Sequence, residues 1–268
     1  MNCFFLLSPL VLQTLIWPVT RPLFRFFLRL EIRGREHLDA ITASDDVAIP
    51  SQVKQYLQVK HEKGQESNIA FAHGREQMLC EGTRKRGVIF VANHGSELDP
   101  ILIPASLPFL SPLMPMFYTS RGSEFYKNSK WRKYFYGGLL FKLWGSHSLH
   151  SGSHDYALSL ATHIYLLGEG KSLCMFPDGR KTSDADIGSI AHGGVGYLAW
   201  KTRATIVPVR IIGVHQTRLG DFLLRRRKVV VIFGELFSPP FSDRSVPPSA
   251  DECRTVARSI MEAVKALA

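Results

Sequence analysis

A histidine and an aspartate five positions apart follow a predicted strand. The run GVIFVAN ends at Asn93, and His94 comes next, with Asp99 and Pro100 a few positions on. A strand end that leads into a helix start is where α/β proteins expose side chains to ligands. If His94 lies on the turn and Asp99 in the first helical turn, the carboxylate can fold back onto the imidazole. An aspartate bonded to one ring nitrogen makes the other a better base, which suits proton removal from an alcohol.

The competing interpretation gives both residues a structural role only. Ser96 and Asp99 have the spacing of a capping box, in which each side chain accepts a hydrogen bond from the other residue's backbone N–H. Asp99-Pro100 is also typical of a helix start. Asp99 would then cap a helix and His94 would be incidental. Because the pattern is short, a second cluster is needed to decide between the two.

That second cluster follows another predicted strand, SLCMF at 172–176. Pro and Gly residues predict a turn here, from which Asp178, Arg180 and Lys181 are expected to protrude. Paired cations at a strand end suit a phosphate monoester, which Arg can bind through two hydrogen bonds. A solvated charged turn is the alternative. The functional interpretation places a cationic pocket beside the His94 pair.

Short β-branched strands alternate with helical stretches along the chain, which favours a layered α/β fold with a central mixed sheet flanked by helices. Val207-Pro208-Val209 is a strand that bears a proline, which indicates an edge strand or a strand end. The predicted strands are 87–93, 172–176, 205–211 and 228–233. The predicted helices are 100–107, 126–142, 155–167, 194–201 and 250–267. We therefore expect the core domain at 87–268.

The first 33 residues are predicted to associate with a membrane. Residues 1–20 carry no charge, and arginines then recur every fourth position among Phe and Leu. This pattern is typical of an amphipathic helix in a membrane interface, with the guanidinium groups at lipid phosphates. A helix packed on the protein's own core and a single uncleaved membrane span are the alternatives. The recurring arginines are Arg21, Arg25, Arg29 and Arg33.

Between this segment and the core, 34–86 reads as a linker with a polar helical insertion, and helices are predicted at 51–63 and 68–79. The chain carries 33 Lys and Arg against 23 Asp and Glu, a net charge of +10, which suits an anionic partner. Nucleic acid is not expected, because the cationic run at 225–228 has no aromatic residues between its cations and is more typical of a solvated or lipid-facing loop. The four scattered cysteines predict no metal site or disulfide framework and fit a cytoplasm-facing surface.

In this order, the motifs resemble the 1-acyl-sn-glycerol-3-phosphate acyltransferase family and its glycerol-3-phosphate acyltransferase relatives. The resemblance covers about half of the chain, 87–213, with the basic RLEIRGREHL segment upstream. Together the motifs are specific, although none would be alone. The similar motifs are the Asn-His-x4-Asp of 93–99, Phe-Pro-Asp-Gly at 176–179, Val-Pro-Val at 207–209 and the HGGVGYLA stretch at 192–199.

The resemblance implies O-acyl transfer at the cytoplasmic face of a membrane. The donor would be a fatty acyl-CoA or acyl-carrier protein, the acceptor a lysophosphatidate-like lysolipid, and no metal or other cofactor would take part. His94 would be the general base, and Asp99 would orient it. The substrate-binding residues that the resemblance implies are Asn93, Arg121, Asp178, Gly179, Arg180 and Lys181.

Two departures from the family pattern bear on the acceptor. Asp178 stands where the family usually has Glu, and Arg180-Lys181 stand where it has Thr-Arg. The arginine that usually follows a glycine in the second motif is replaced within 145–152 by other residues. Two alternatives therefore stay open. One is an acyltransferase of the same fold that uses another lysolipid or an amino-lipid, and the other is a catalytically silent lipid-binding protein.

Overall fold

The structure is a computed structural model that describes residues 3–43, 87–120, 139–149, 155–239, 241 and 245–268. The predicted helices at 51–63 and 68–79 lie outside the described residues, as do Arg121 and most of the predicted helix at 126–142. Of the predicted linker and insertion at 34–86, the structure describes only 34–43.

The described elements alternate between helices and strands. In chain order they are α1 (Cys3–Phe27), β1 (Glu31–Arg33), α2 (Glu36–Ala43), β2 (Val88–Ala92), α3 (Asp99–Ser106), β3 (Met116–Ser120), α4 (Leu139–Trp144), β4 (Ser146–Ser148), α5 (Tyr156–Ser159), α6 (Ala161–Gly168), β5 (Ser172–Met175), a 3₁₀ turn (Asp184–Asp186), α7 (Gly194–Thr202), β6 (Thr205–Ile212), α8 (Leu219–Leu223), β7 (Val230–Phe233) and α9 (Ala250–Ala266).

The strands form one seven-stranded mixed sheet in the order β1-β7-β6-β2-β5-β3-β4. Every neighbouring pair is parallel except β6 and β7, which are antiparallel. All five residues of β2 are buried, as expected of a central strand covered on both faces. Phe90 joins the apolar cluster that contains parts of α1 and α3, whereas Ile89 and Val91 join the one that contains parts of α7 and α9. The predicted layered α/β fold is confirmed.

Three strands were not predicted. β1 and β4 have three residues each, too few to show an alternating pattern, and β3 ends in the polar pair Thr119-Ser120. β1 pairs with β7, with Glu31 opposite Val230, so the predicted membrane-associating segment contributes an edge strand to the core sheet. The predicted helix at 155–167 is divided into α5 and α6 at Leu160.

The expectation that Pro208 marks an edge or a strand end is wrong. β6 is interior, between β2 and β7, and Pro208 lies in its middle opposite Val91. The Pro208 carbonyl accepts from the N–H of Gly234, just past the end of β7 at Phe233. The proline nitrogen faces that same side, because N–H and C=O of one strand residue point alike. Its missing hydrogen is therefore tolerated where the neighbouring strand ends.

α1 packs on the domain along one face. The buried amide of Gln13 donates to the carbonyls of Met116 and Trp144 at 2.7 and 3.0 Å and accepts from the Met116 N–H at 2.9 Å. One turn on, the Trp17 indole donates to the Leu107 carbonyl at 3.1 Å. Phe24 is buried in the core cluster at the end of the helix. The alternative of a helix packed on the protein's own core therefore holds for this face.

The opposite face of α1 is apolar and exposed. The helix ends at Phe27, so Arg29 and Arg33 lie outside it, and the four arginines do not form the single helical stripe that the spacing predicted. Within α1, the segment Phe4–Phe27 is long and apolar enough to cross a membrane, with a mean hydropathy of 1.3. The exposed apolar side chains are Phe4, Leu7, Leu10, Val11, Leu15, Ile16, Val19, Leu23 and Phe26.

Gly196 permits the close packing of α7 on α9. A Cβ at this position would lie 2.4 Å from the carbonyl oxygen of Cys253, which is backbone and cannot rotate away. We expect Gly196→Ala to lower the free energy of unfolding by about 1–3 kcal/mol, the usual cost of overpacking. Chemical denaturation followed by circular dichroism measures this change.

Gly220→Ala is the matched control. Gly220 is also helical, but no atom lies within 4 Å of its Cβ position. The free energy of unfolding of this variant should be unchanged or higher by up to about 1 kcal/mol, because Ala favours a helix more than Gly does. If Gly196→Ala is as stable as Gly220→Ala, the close α7–α9 contact is not a constraint on the fold.

Candidate active site

The site lies where β2 ends and α3 begins. Asn93 follows β2, and its buried side-chain amide pairs with the backbone of Ile211 in β6, donating to the carbonyl at 2.9 Å and accepting from the N–H at 2.8 Å. This pairing fixes the end of β2 against β6. In this structure the Asn93 side chain therefore joins two strands, and it does not face the open side of the turn, where the resemblance implied a substrate contact.

The structure brings His94 and Asp99 together. The Nδ1 atom of His94 lies 2.9 Å from Oδ2 of Asp99. The same oxygen accepts from the backbone N–H groups of Gly95 and Ser96 at 2.8 and 2.9 Å. Asp99 is fully buried, whereas 20% of the His94 side chain is exposed. The turn between the two residues is thus wound around one carboxylate oxygen.

This geometry fixes the role of each imidazole nitrogen. Because Oδ2 of Asp99 is the common acceptor of neighbouring N–H groups, we assign the His94 proton to Nδ1, which donates to it. In the neutral ring Nε2 is then an acceptor, available to a hydroxyl group at the open side. The arrangement can take a proton from an alcohol.

The capping-box interpretation is half right. The Asp99 carboxylate accepts from the Ser96 N–H, as the box requires. The Ser96 hydroxyl, however, accepts from the N–H of Leu98 at 3.2 Å and not from that of Asp99. Asp99 therefore organises the helix start and holds His94 at the same time, so the two interpretations of the sequence are not exclusive.

Two residues after β5 support His94 in ways that the sequence did not reveal. The Phe176 ring stacks on the imidazole with the ring centroids 4.6 Å apart. The backbone N–H of the buried Thr182 donates to the His94 carbonyl at 2.8 Å. Phe176 stands in a recognisable motif, but nothing in its residue type signals a stacking partner. The 176–182 loop is thus fastened to the histidine turn.

The expectation that Asp178 protrudes from its turn is wrong. The side chain is only 2% exposed, and Oδ1 accepts from the Gly188 N–H at 3.0 Å. The Thr182 hydroxyl contacts Oδ2 at 3.4 Å. Gly179 has a φ of +62° and makes the turn that directs the chain around this buried carboxylate. Asp178 therefore organises the loop from inside.

The two cations of this loop are exposed, as predicted. The Lys181 ammonium lies 2.5 Å from Oε1 of Glu97, which stands in the turn between His94 and Asp99. Arg180 is exposed on the same loop. An ion pair this accessible contributes only about 0–1 kcal/mol. Both cations are therefore available to an anion near His94, while Arg121 lies outside the described residues.

No cluster of three or more His, Cys, Asp or Glu side chains that could hold a metal ion occurs in the described part of the chain.

Burial raises the pKa of Cys174 well above its ordinary value and that of Cys253 to about 11. Both thiols are fully buried, so they stay protonated and out of reach of a substrate.

A family model described as Acyltransferase matches residues 71–212, more than half of the chain, and the chain therefore belongs to the acyltransferase family. The match contains the histidine turn, the 176–182 loop and β6. Among curated proteins, a probable 1-acyl-sn-glycerol-3-phosphate acyltransferase of Mycoplasma pneumoniae is 25% identical over 137 residues. Those residues cover 50% of this chain and 47% of that protein, so the chain spans about half the length of this relative.

Asp178 should make stability fall as the pH rises. Burial raises its pKa above the ordinary 3.8, against the opposing effects of Gly188, Thr182, Arg180 and His192. The native state therefore holds this proton more tightly than the unfolded chain does. Between 3.8 and the raised pKa, the free energy of unfolding declines with increasing pH.

Asp178→Asn removes this titration; its amide oxygen can still accept from the Gly188 N–H, and its NH2 group can donate to the Thr182 hydroxyl. We expect its free energy of unfolding, relative to the unmodified protein, to rise with pH from about 3.8 and then to level off. Asp251→Asn is the opposite control, because Arg254 lowers the pKa of Asp251. There the variant should lose relative stability as the pH rises towards 3.8. Urea titrations at a series of pH values measure both differences. If the Asp178→Asn difference is flat above pH 3.8 while the Asp251→Asn difference falls as expected below it, the account of Asp178 is wrong.

Proposed function

We propose that this chain is an O-acyltransferase that moves a fatty acyl group from a thioester to a hydroxyl of a lysophosphatidate-like acceptor. The observation that carries the proposal is the 2.9 Å contact between Nδ1 of His94 and Oδ2 of Asp99, with the imidazole partly exposed at a strand end. A protein that only binds lipid has no need of an oriented base. Membership of the acyltransferase family supports the same reaction.

In the proposed mechanism, Nε2 of His94 takes the proton of the acceptor hydroxyl as its oxygen attacks the thioester carbonyl carbon. The new C–O bond gives a tetrahedral intermediate. Its collapse breaks the C–S bond, and the leaving thiolate takes the proton back from the imidazolium. Asp99 stabilises the positive ring through its hydrogen bond to Nδ1 and holds it in place.

The acyl group is proposed to pass directly to the acceptor. A covalent intermediate on cysteine would need an accessible thiolate. The two cysteines whose side chains the structure describes, Cys174 and Cys253, are buried thiols with raised pKa values and do not provide one. The thioester donor is acyl-CoA or acyl-carrier protein, and no metal or further cofactor takes part.

For the acceptor, we propose a phosphate monoester near the His94 turn. Arg180 and Lys181 are exposed on the loop whose Thr182 N–H donates to the His94 carbonyl, and this connection supports a role for the two cations near the base. A phosphate can replace Glu97 as the partner of Lys181, because that exposed pair is weak. The name of the Mycoplasma pneumoniae relative supports a 1-acylglycerol-3-phosphate acceptor.

We propose that α1 lies along the bilayer surface at the cytoplasmic side. Its docked face is held by Gln13, Trp17 and Phe24, while exposed apolar side chains line the other face. A full crossing would carry the domain surface packed on α1 into the hydrocarbon, so a helix fixed lengthwise to a folded domain suits the interface better. The acceptor would reach the site from that surface.

His94→Ala tests the chemistry. With labelled acyl-CoA and lysophosphatidate, we expect the rate to fall at least about 10²-fold, the usual contribution of a general base. His37→Ala is the matched control, because His37 contacts the Phe233 carbonyl and has no part in the turn. The control should retain its rate. A His94→Ala protein that transfers acyl groups normally would rule out the mechanism.

Arg180→Gln tests the acceptor. Loss of one charge-assisted hydrogen bond should raise the KM for lysophosphatidate about tenfold and change kcat little, because the contact is made equally in the ground and transition states. The KM for monoacylglycerol, which has no phosphate, should not change. If the KM rises equally for both acceptors, Arg180 does not recognise the phosphate. If the unmodified protein turns over lysophosphatidylcholine as fast as lysophosphatidate, another lysolipid is favoured as the acceptor.

Leu15→Glu tests the membrane face. Leu15 is 68% exposed at the centre of the apolar face, so a charge there opposes membrane contact without disturbing the core. We expect less protein to pellet with phospholipid vesicles and an unchanged melting temperature. Thr20→Glu, on the same helix nearer the docked face, is the control for added charge. If Leu15→Glu pellets with vesicles as well as the unmodified protein does, the apolar face of α1 does not contact the membrane.

A further inference from the structure

A cationic cavity lies beside the last turns of α1, away from the histidine turn. Its volume is about 230 Å³, and it is lined by Arg21, Arg25, Leu30, Ile32 and Arg35. Arg21 and Arg35 both reach the carboxyl end of α3, whereas Asp99 begins that helix. Eight residues of helix place the two ends about 12 Å apart. The cavity is therefore separate from the proposed base.

The guanidinium groups keep donors for a ligand. One terminal nitrogen of Arg21 donates to the Ala105 and Leu107 carbonyls at 2.8 and 3.1 Å. Nε and one terminal nitrogen of Arg35 donate to the Ser106 carbonyl. Within the described part of the chain these bonds leave the other donors of both groups unused, and Arg25 makes none. Capping of α3 thus uses only some of the hydrogen-bond donors of Arg21 and Arg35 and none of those of Arg25.

No carboxylate neutralises this cluster within the described residues. Glu36 directly follows Arg35 in the chain, but no ion pair joins it to the three arginines in the described structure. The two carboxylate oxygens of Glu31 pair with Arg33 and Lys228. Burial, together with the charges of Arg35 and Arg25, lowers the pKa of Arg21 to about 10, so the group stays charged at neutral pH. Three like charges around one cavity favour an anion that can accept from several of them at once.

We propose that Arg21, Arg25 and Arg35 form a binding site for a phosphate monoester group. On the wheel of α1, at 100° per residue, Arg21 and Arg25 lie between the docked face and the exposed apolar face. The site therefore opens at the edge of the proposed membrane surface, where the phosphate of an anionic lipid headgroup is the source at hand. Free phosphate has the same chemistry, and the experiment separates the two.

The experiment compares binding of the full chain to phosphatidylcholine vesicles that contain either phosphatidate or phosphatidylserine at matched surface charge. The unmodified protein should prefer phosphatidate. Arg25→Lys keeps the charge but loses the planar donor pair, so we expect it to lose this preference about tenfold, the scale of one charge-assisted bond. Arg258→Gln, an exposed arginine on α9, should keep the preference although it removes a charge.

A second arm uses inorganic phosphate alone. If phosphate raises the melting temperature of the unmodified protein but not of Arg25→Lys, and vesicle binding shows no preference for phosphatidate, the site holds and its ligand is free phosphate. If Arg25→Lys and Arg25→Gln match the unmodified protein in both arms, the proposed site is wrong. Arg25 makes no described hydrogen bond, so neither variant should unfold the chain, and circular dichroism checks this.

Discussion

Oδ2 of Asp99 accepts three hydrogen bonds from consecutive residues, and the rest of the site depends on this convergence. Two come from the Gly95 and Ser96 backbone and shape the turn, and the third comes from the His94 ring. The oxygen is buried, so water does not compete for these donors. One side chain thus sets the backbone of the turn, the direction of the imidazole and the nitrogen that carries its proton.

The surrounding sheet explains why the turn keeps this shape. Asn93 ties the residue before His94 to β6, Thr182 ties the His94 carbonyl to the loop after β5, and Phe176 covers one face of the ring. β6 and β5 are the two neighbours of β2. The histidine is therefore held from both sides by the strands that flank its own, a rigid platform for a base that must meet a hydroxyl in one orientation.

The sequence was sufficient for the central strands and the His94–Asp99 contact, because both depend on local pattern. The buried runs are short and β-branched, and a five-residue turn allows few ways to return a carboxylate to the histidine. The sequence was not sufficient to predict the burial of Asp178 or the interior position of Pro208. Whether a charged side chain faces out or in, and whether a strand is an edge, depends on partners far along the chain, such as Gly188 and Gly234. Residue type alone does not contain this information.

The most direct test of the central interaction is a double-mutant cycle on kcat/KM for acyl transfer with His94→Ala, Asp99→Asn and the two together. Asp99 is proposed to act through the imidazole, so its replacement should slow the reaction when His94 is present. In the His94→Ala background the same replacement should add little, because nothing is left for it to orient. Equal and independent losses from the two substitutions, in proteins of unchanged melting temperature, would contradict the account.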